Sequence, residues 1–216
     1  MFFREIPGFN RIIEECAGER FLKEVCRKYH YLPEDEPGIK QAAESMQASI
    51  REEAFWQHCI FQKECTLTAG VVMTLGKGVD SLQESCDKAG NLSESYMIET
   101  LSGEILMQAY SAYNSWVAEN TPYHVARYYF LGSDRDYPME LLPELLKKLG
   151  GPVSYNEGYC MIPKKSVAFY ALLTEEKGIK CRGICTDCGR KDCPGRMKES
   201  RPLPYGYARI LGKDYV

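Results

Sequence analysis

From Phe9 to Tyr29 the apolar residues Phe9, Ile12, Ile13, Cys16, Phe21, Leu22, Val25 and Cys26 recur at three- and four-residue intervals, with Arg, Glu and Lys between them. That period places them on one face of a helix and predicts one or two helices with a break at Gly18. His30-Tyr31-Leu32-Pro33 stops the pattern, and the acidic turn Glu34 to Gly38 leads into a second helical stretch from about Ile39 to Phe55. Residues 1–66 are therefore expected to be mostly helical. Leu67 to Leu75 is short, β-branched and apolar and ends at Gly76, the pattern of a buried strand.

Asp80 stands three residues before Gln83, and Asn91 three before Glu94, which predicts two capped helix starts. The second helix is long. Met97, Ile98, Leu101, Ile105, Leu106, Ala109, Ala112, Tyr113, Trp116 and Val117 form a stripe wide enough to pack on a sheet. Within it, Ser102-Gly103 is a small spot predicted to let another element approach closely. Tyr123 to Leu131 alternates as a strand, and a polar loop follows. Met139 to Leu149 reads as a short helix closed by Gly150-Gly151-Pro152. Val153 to Ile162 and Ser166 to Leu173 read as two strands paired antiparallel around Pro163-Lys164-Lys165. The irregular order of helices and strands, without βαβ alternation, predicts an α+β fold.

Composition narrows the function classes. Lys and Arg number 27 against 30 Asp and Glu, a net charge of -3, and no basic cluster is long enough for a nucleic-acid arm. No apolar run approaches the roughly 18 residues of a membrane span. The opening Met1-Phe2-Phe3-Arg4-Glu5-Ile6-Pro7 lacks the pattern of an export signal, so a cytoplasmic protein is expected. There are 10 cysteines. In a reducing compartment, clustered thiols are ligands more often than disulfides.

Four of them, Cys181, Cys185, Cys188 and Cys193, sit in one run with little else apolar, spaced Cys-x3-Cys-x2-Cys-x4-Cys-Pro. A shared cation or cluster would hold four thiolates and fold a segment too polar to fold alone. The close spacing and terminal proline favour an iron-sulfur cluster, 4Fe-4S first, over zinc, whose four-cysteine sites usually carry two Cys-x2-Cys knuckles. Disulfide or redox-active thiols are the third reading. The chain thus divides into a body, residues 1–176, and a metal-binding tail, residues 177–216. Cys16, Cys26, Cys59, Cys65, Cys86 and Cys160 read as scattered small hydrophobes, although His58-Cys59 with Cys65 is a thinner metal candidate.

Val72-Met73-Thr74-Leu75-Gly76 with Val79-Asp80, the long helix with Ser102-Gly103-Glu104, and Met161-Ile162-Pro163-Lys164-Lys165-Ser166-Val167 follow in an order and spacing that resembles the activation domain of cobalamin-dependent methionine synthase and its small stand-alone relatives. The last run is similar to the family's Met-x-Pro-x-x-Ser-Val signature. The resemblance covers about half the chain. It implies helices around a bent antiparallel sheet, S-adenosylmethionine as ligand, and a corrinoid-binding methyltransferase or methionine synthase as partner, whose oxidised cobalt is restored by an electron and a methyl group. It places the ligand cleft on Arg127, Gly132 and Tyr137, where the family has an Arg followed by Pro-Gly-Tyr. That Pro-Gly-Tyr is absent here, and Tyr170 falls one residue from the family's ligand-contacting tyrosine. On this reading an iron-sulfur tail would supply the electron. The alternatives are a zinc-stabilised interaction module and an iron-sulfur electron-transfer protein that binds no S-adenosylmethionine.

Several of these residues also have plainer readings. Arg127 beside Tyr128 and Tyr129 can be a stacked surface arginine, Arg135 a salted loop residue, and Gly132-Ser133 either a turn or an anion-facing pair of amides. Lys164-Lys165 is a charged turn or a docking patch for an acidic partner, and Ser166 is expected to bond within its turn. With three histidines, His30, His58 and His124, and no phosphate loop or nucleophile elbow, general-base or nucleophilic chemistry has few candidates.

Overall fold

The computed structural model describes residues 7–63, 66–133 and 135–176. Two short helices open it, α1 (Pro7–Glu15) and α2 (Glu19–Tyr29), broken at Gly18. After a 3-10 turn at Pro33–Asp35 comes α3 (Glu36–Glu53). The hairpin β1 (Phe55–Lys63) and β2 (Thr66–Thr74) leads to α4 (Lys77–Ala89) and the long α5 (Leu92–Asn120). The edge strand β3 (His124–Phe130), α6 (Leu142–Leu149), the two-residue strands β4 (Ser154–Tyr155) and β5 (Met161–Ile162), and β6 (Ser166–Thr174) complete the fold.

Four strands form an antiparallel sheet in the order β1-β2-β6-β3. Side-chain alternation gives that sheet two cores. Val167, Phe169, Ala171 and Leu173 of β6 and Ala69, Val71 and Met73 of β2 face α5, which lies between the sheet and helices α1, α3 and α4. Phe169 anchors this layer, its ring 5.0 Å from Tyr110 and 5.8 Å from Tyr113 of α5. On the opposite face Val72 and Ala168 meet Leu142, Leu145, Leu146 and Leu149 of α6. The fold is α+β, helices against an antiparallel sheet, as the patterning predicts.

Several expectations need correction. The N-terminal part does not stay helical: α3 ends at Glu53 and Phe55–Lys63 is a full edge strand, paired with β2 over nine positions. Its polar Gln57, His58 and Gln62 hide the period of two, because His58 is buried despite its polarity. Asp80 is not a cap, since α4 starts three residues earlier after Gly76. The Glu53 carboxylate, arriving from α3, accepts from the Gly78 N–H at 2.8 Å instead, and Asp80 accepts from the Lys164 N–H at 2.6 Å. Asn91 is the N-cap residue of α5, but its side chain makes no capping bond.

Val153 to Ile162 does not pair with β6. It folds on itself as the β4-β5 hairpin, because Asn156 Oδ1 accepts from the N–H groups of Gly158 (3.0 Å) and Cys160 (2.9 Å) and closes a tight turn. Gly103 is not a point of close approach: a Cβ there would meet nothing within 4 Å. A helix-interior glycine with room for a methyl group is conformational entropy without a packing return. Gly103→Ala is therefore expected to stabilise the protein by about 0.5–1 kcal/mol, raising the melting temperature by about 2 °C in a calorimetric scan.

Candidate functional site

Arg127 and Tyr129 sit on edge strand β3 just after a register shift between Val125 and Arg127. The alternation sends Tyr128 and Phe130 into the main core, where Tyr128 donates to the Tyr110 carbonyl at 3.2 Å. Arg127 and Tyr129 are left on the other face. There Tyr129 is the register partner of Tyr170 on β6, and Arg127 that of Leu172. The Arg127 guanidinium stacks 4.8 Å from the Tyr129 ring centroid with its Nε buried, so it is stacked but not the surface arginine of the plainer reading.

Tyr137 joins this pair from the following loop. Its ring lies 4.5 Å from Tyr129, nearly parallel at 18°, and 4.9 Å from Tyr170 at 41°. Phe61 of β1 continues the row 6.4 Å beyond Tyr170, and the Lys148 ammonium of α6 stands 4.9 Å over Phe61. The result is a half-buried aromatic row across the sheet with a cation stacked at each end. Burial first, and then the Glu144 carboxylate, push the Tyr170 phenol above its ordinary range.

Gly132 brings Tyr137 in. It has φ +77°, and its N–H donates to the Tyr137 carbonyl at 2.8 Å. A Cβ at Gly132 would lie 2.7 Å from Met139 Cγ. The Ser133 N–H donates to the Phe130 carbonyl at 3.1 Å. Both amides are thus used inside the turn, the first of the two readings of Gly132-Ser133. Gly132 and Tyr137 meet directly through their backbone bond, and Tyr137 meets Arg127 through the Tyr129 ring between them. Sequence reasoning gave Tyr129 no role beyond that of a neighbour and missed Phe61 and Lys148 altogether. The alternating Arg127-x-Tyr129 pattern was the available signal for Tyr129, and none existed for the other two.

Of the two readings of Lys164-Lys165, the geometry supports the charged turn. Lys164 pairs with Glu84 at 3.1 Å, and Lys165, its side chain 10% exposed, pairs with Glu99. Burial alone would raise the Glu99 carboxyl, and hydrogen bonds from Lys165 and Gln83 carry it below the usual range instead. Both charges are neutralised within the fold. Ser166 bonds locally, donating to the Pro163 carbonyl at 2.6 Å and lying 2.8 Å from Thr74 Oγ1, which in turn accepts from the Gly76 N–H at 3.1 Å. The peptide bond between Ile162 and Pro163 is cis. This Met-x-Pro-x-x-Ser-Val run is thus a junction tying the β4-β5 hairpin to β2, α4 and α5.

His58 and Cys59 point to opposite faces of β1, so they do not share an ion; Cys65 lies outside the described residues. His58 packs edge-on against Trp116 of α5, ring centroids 4.8 Å apart, with the Tyr113 hydroxyl 3.4 Å from its Nδ1. Burial pushes the His58 imidazole down to about 4 and the Cys16 thiol up to about 11. Cys181, Cys185, Cys188 and Cys193 lie outside the described residues. Among those described, no three His, Cys, Asp or Glu side chains are grouped so as to hold a metal ion, and no helix is long and apolar enough to cross a membrane.

Fold and face together define an α+β protein that carries an aromatic row flanked by cations on its sheet. No family model matches the sequence, and no curated protein matches it significantly. Among solved structures that match is a crystal structure of the MetH reactivation domain bound to AdoHcy, with a TM-score of 0.49 and 9% sequence identity, covering 80% of this chain and 77% of that one.

Proposed function

We propose that this protein is an accessory factor for reductive reactivation of a corrinoid-dependent methyltransferase of the methionine synthase type, binding S-adenosylmethionine on the sheet face of Arg127, Tyr129 and Tyr170, against which Tyr137 packs. One observation carries the reading: Arg127 and Tyr137, the latter held by the Gly132 turn, come together on one face through Tyr129, and the displaced Tyr170 joins them. The chemistry of the face suits that ligand. A guanidinium can hold the amino-acid carboxylate, phenol rings can stack on adenine, and a sulfonium gains from the same ring faces.

Cys181, Cys185, Cys188 and Cys193 are proposed to hold an iron-sulfur cluster, four thiolates being the donor set such clusters use. A cluster bound there would supply the electron that accompanies methyl transfer. The partner is the oxidised corrinoid protein.

The test begins with full-length protein purified without oxygen. Iron and acid-labile sulfide, with visible absorption that disappears in the Cys185→Ser/Cys188→Ser variant, are the expected result. One zinc per chain without colour would replace the cluster by a structural zinc and remove the electron-donor role. In a calorimetric titration with S-adenosylmethionine, Arg127→Met should weaken binding by tenfold or more, about 1.4 kcal/mol, as the lost charged hydrogen bonds require. Binding that ignores the substitution would remove the ligand from this face. Activity is then read as return of an oxidised corrinoid methyltransferase to its methylated form.

A further inference from the structure

Tyr129 and Tyr170 are register partners on adjacent strands, so their side chains leave the same sheet face side by side. The ring of Tyr137, which comes from neither strand, contacts both at stacking distances of 4.5 and 4.9 Å. Arg127 stacks on Tyr129 at the end of this row. A single flat ring held against two strand tyrosines beside a guanidinium is what a bound aromatic ligand with an acidic group would look like, and here the chain supplies the ring itself.

We infer that Tyr137 fills the ring slot of a planar aromatic ligand, an adenine or similar purine, and that the ligand binds by displacing it. This rests on the ligand reading above and adds that the face is self-blocked. The backbone permits the exchange. The Tyr137 carbonyl stays bonded to the Gly132 N–H at 2.8 Å, so the residue keeps its position while its side chain turns to another staggered rotamer. A slot that is vacant only part of the time lowers apparent affinity by the vacant fraction. The blocking ring therefore raises the apparent dissociation constant by a constant factor.

The inference predicts the opposite sign from a role for Tyr137 as a ligand contact. Titrating full-length protein with adenine and, separately, S-adenosylhomocysteine, Tyr137→Ala should bind both about tenfold tighter than the unsubstituted protein, while Tyr137→Phe, which keeps the ring, should match it. Tyr129→Ala should bind more weakly, having lost the platform. Melting curves for each variant establish that it is folded, and Tyr137→Leu serves if the alanine variant is not.

Weaker or unchanged binding by Tyr137→Ala would overturn the inference and make Tyr137 a contact, leaving the ligand reading intact. Adenine binding that tightens without any binding of S-adenosylhomocysteine would keep the slot and overturn the S-adenosylmethionine reading. No binding of either molecule to any variant would overturn both.

Discussion

Gly76→Ala should lose about 3 kcal/mol of stability, read as a lower urea midpoint in an unfolding titration with an unchanged slope. Gly76 has φ +95° and ψ 169°, backbone geometry that is essentially glycine-only and costs another residue about 1–3 kcal/mol. The added Cβ would also lie 2.3 Å from Glu53 Cβ and 3.2 Å from the Glu53 carbonyl carbon. These atoms sit at the base of α3, not at the end of a flexible side chain, so the overlap adds about 1–3 kcal/mol of overpacking. Moving Glu53 aside would also break its bond to the Gly78 N–H, the cap of α4. Total stability for a domain is about 5–15 kcal/mol, so this change takes a large share of it. A Gly76→Ala variant as stable as the parent would mean that the strand-to-helix turn is not built this way.

Acid should unfold the protein through His58. Burial against Trp56, Trp116 and Tyr113 holds its folded value at about 4, against 6.5 for the free side chain. Between those values the unfolded chain takes up a proton that the folded one refuses, so stability rises with pH through this window. The contribution is complete above about pH 6.5 and is lost as pH falls towards 4. That difference corresponds to at most about 3 kcal/mol. His58→Phe combined with Tyr113→Phe, which avoids orphaning the buried hydroxyl, should flatten that part of the curve. Urea midpoints measured from pH 7 to pH 4 decide it, and a parent protein as steep as the double variant would acquit His58.

Which features could be read in advance follows from range. The α5 stripe from Met97 to Val117 was legible because each buried residue recurs on the helix's own period. The strand β2 was legible because both its faces are covered, so its run is continuously apolar. β1 was not, since its polar residues become acceptable only where α5 encloses His58. Similarly, the cap of α4 could not be found by scanning neighbouring residues, because Glu53 reaches Gly78 across 25 positions.

Local pattern was enough for the α+β class, the α1–α2 break at Gly18, the extent of α5, the local bonding of Ser166, and Arg127, Gly132 and Tyr137 as residues to watch. Each depends on spacing along the chain, where local periodicity and turn chemistry dominate. Long-range packing was needed to show that β6 pairs with β2 and β3 and not with its neighbouring hairpin, and that Lys164 and Lys165 find carboxylate partners on α4 and α5. It also decided that Phe61, Tyr170, Tyr137 and Tyr129 form one row. Those contacts join residues far apart in sequence, and their energies depend on which faces the sheet turns together, a quantity that no local window contains.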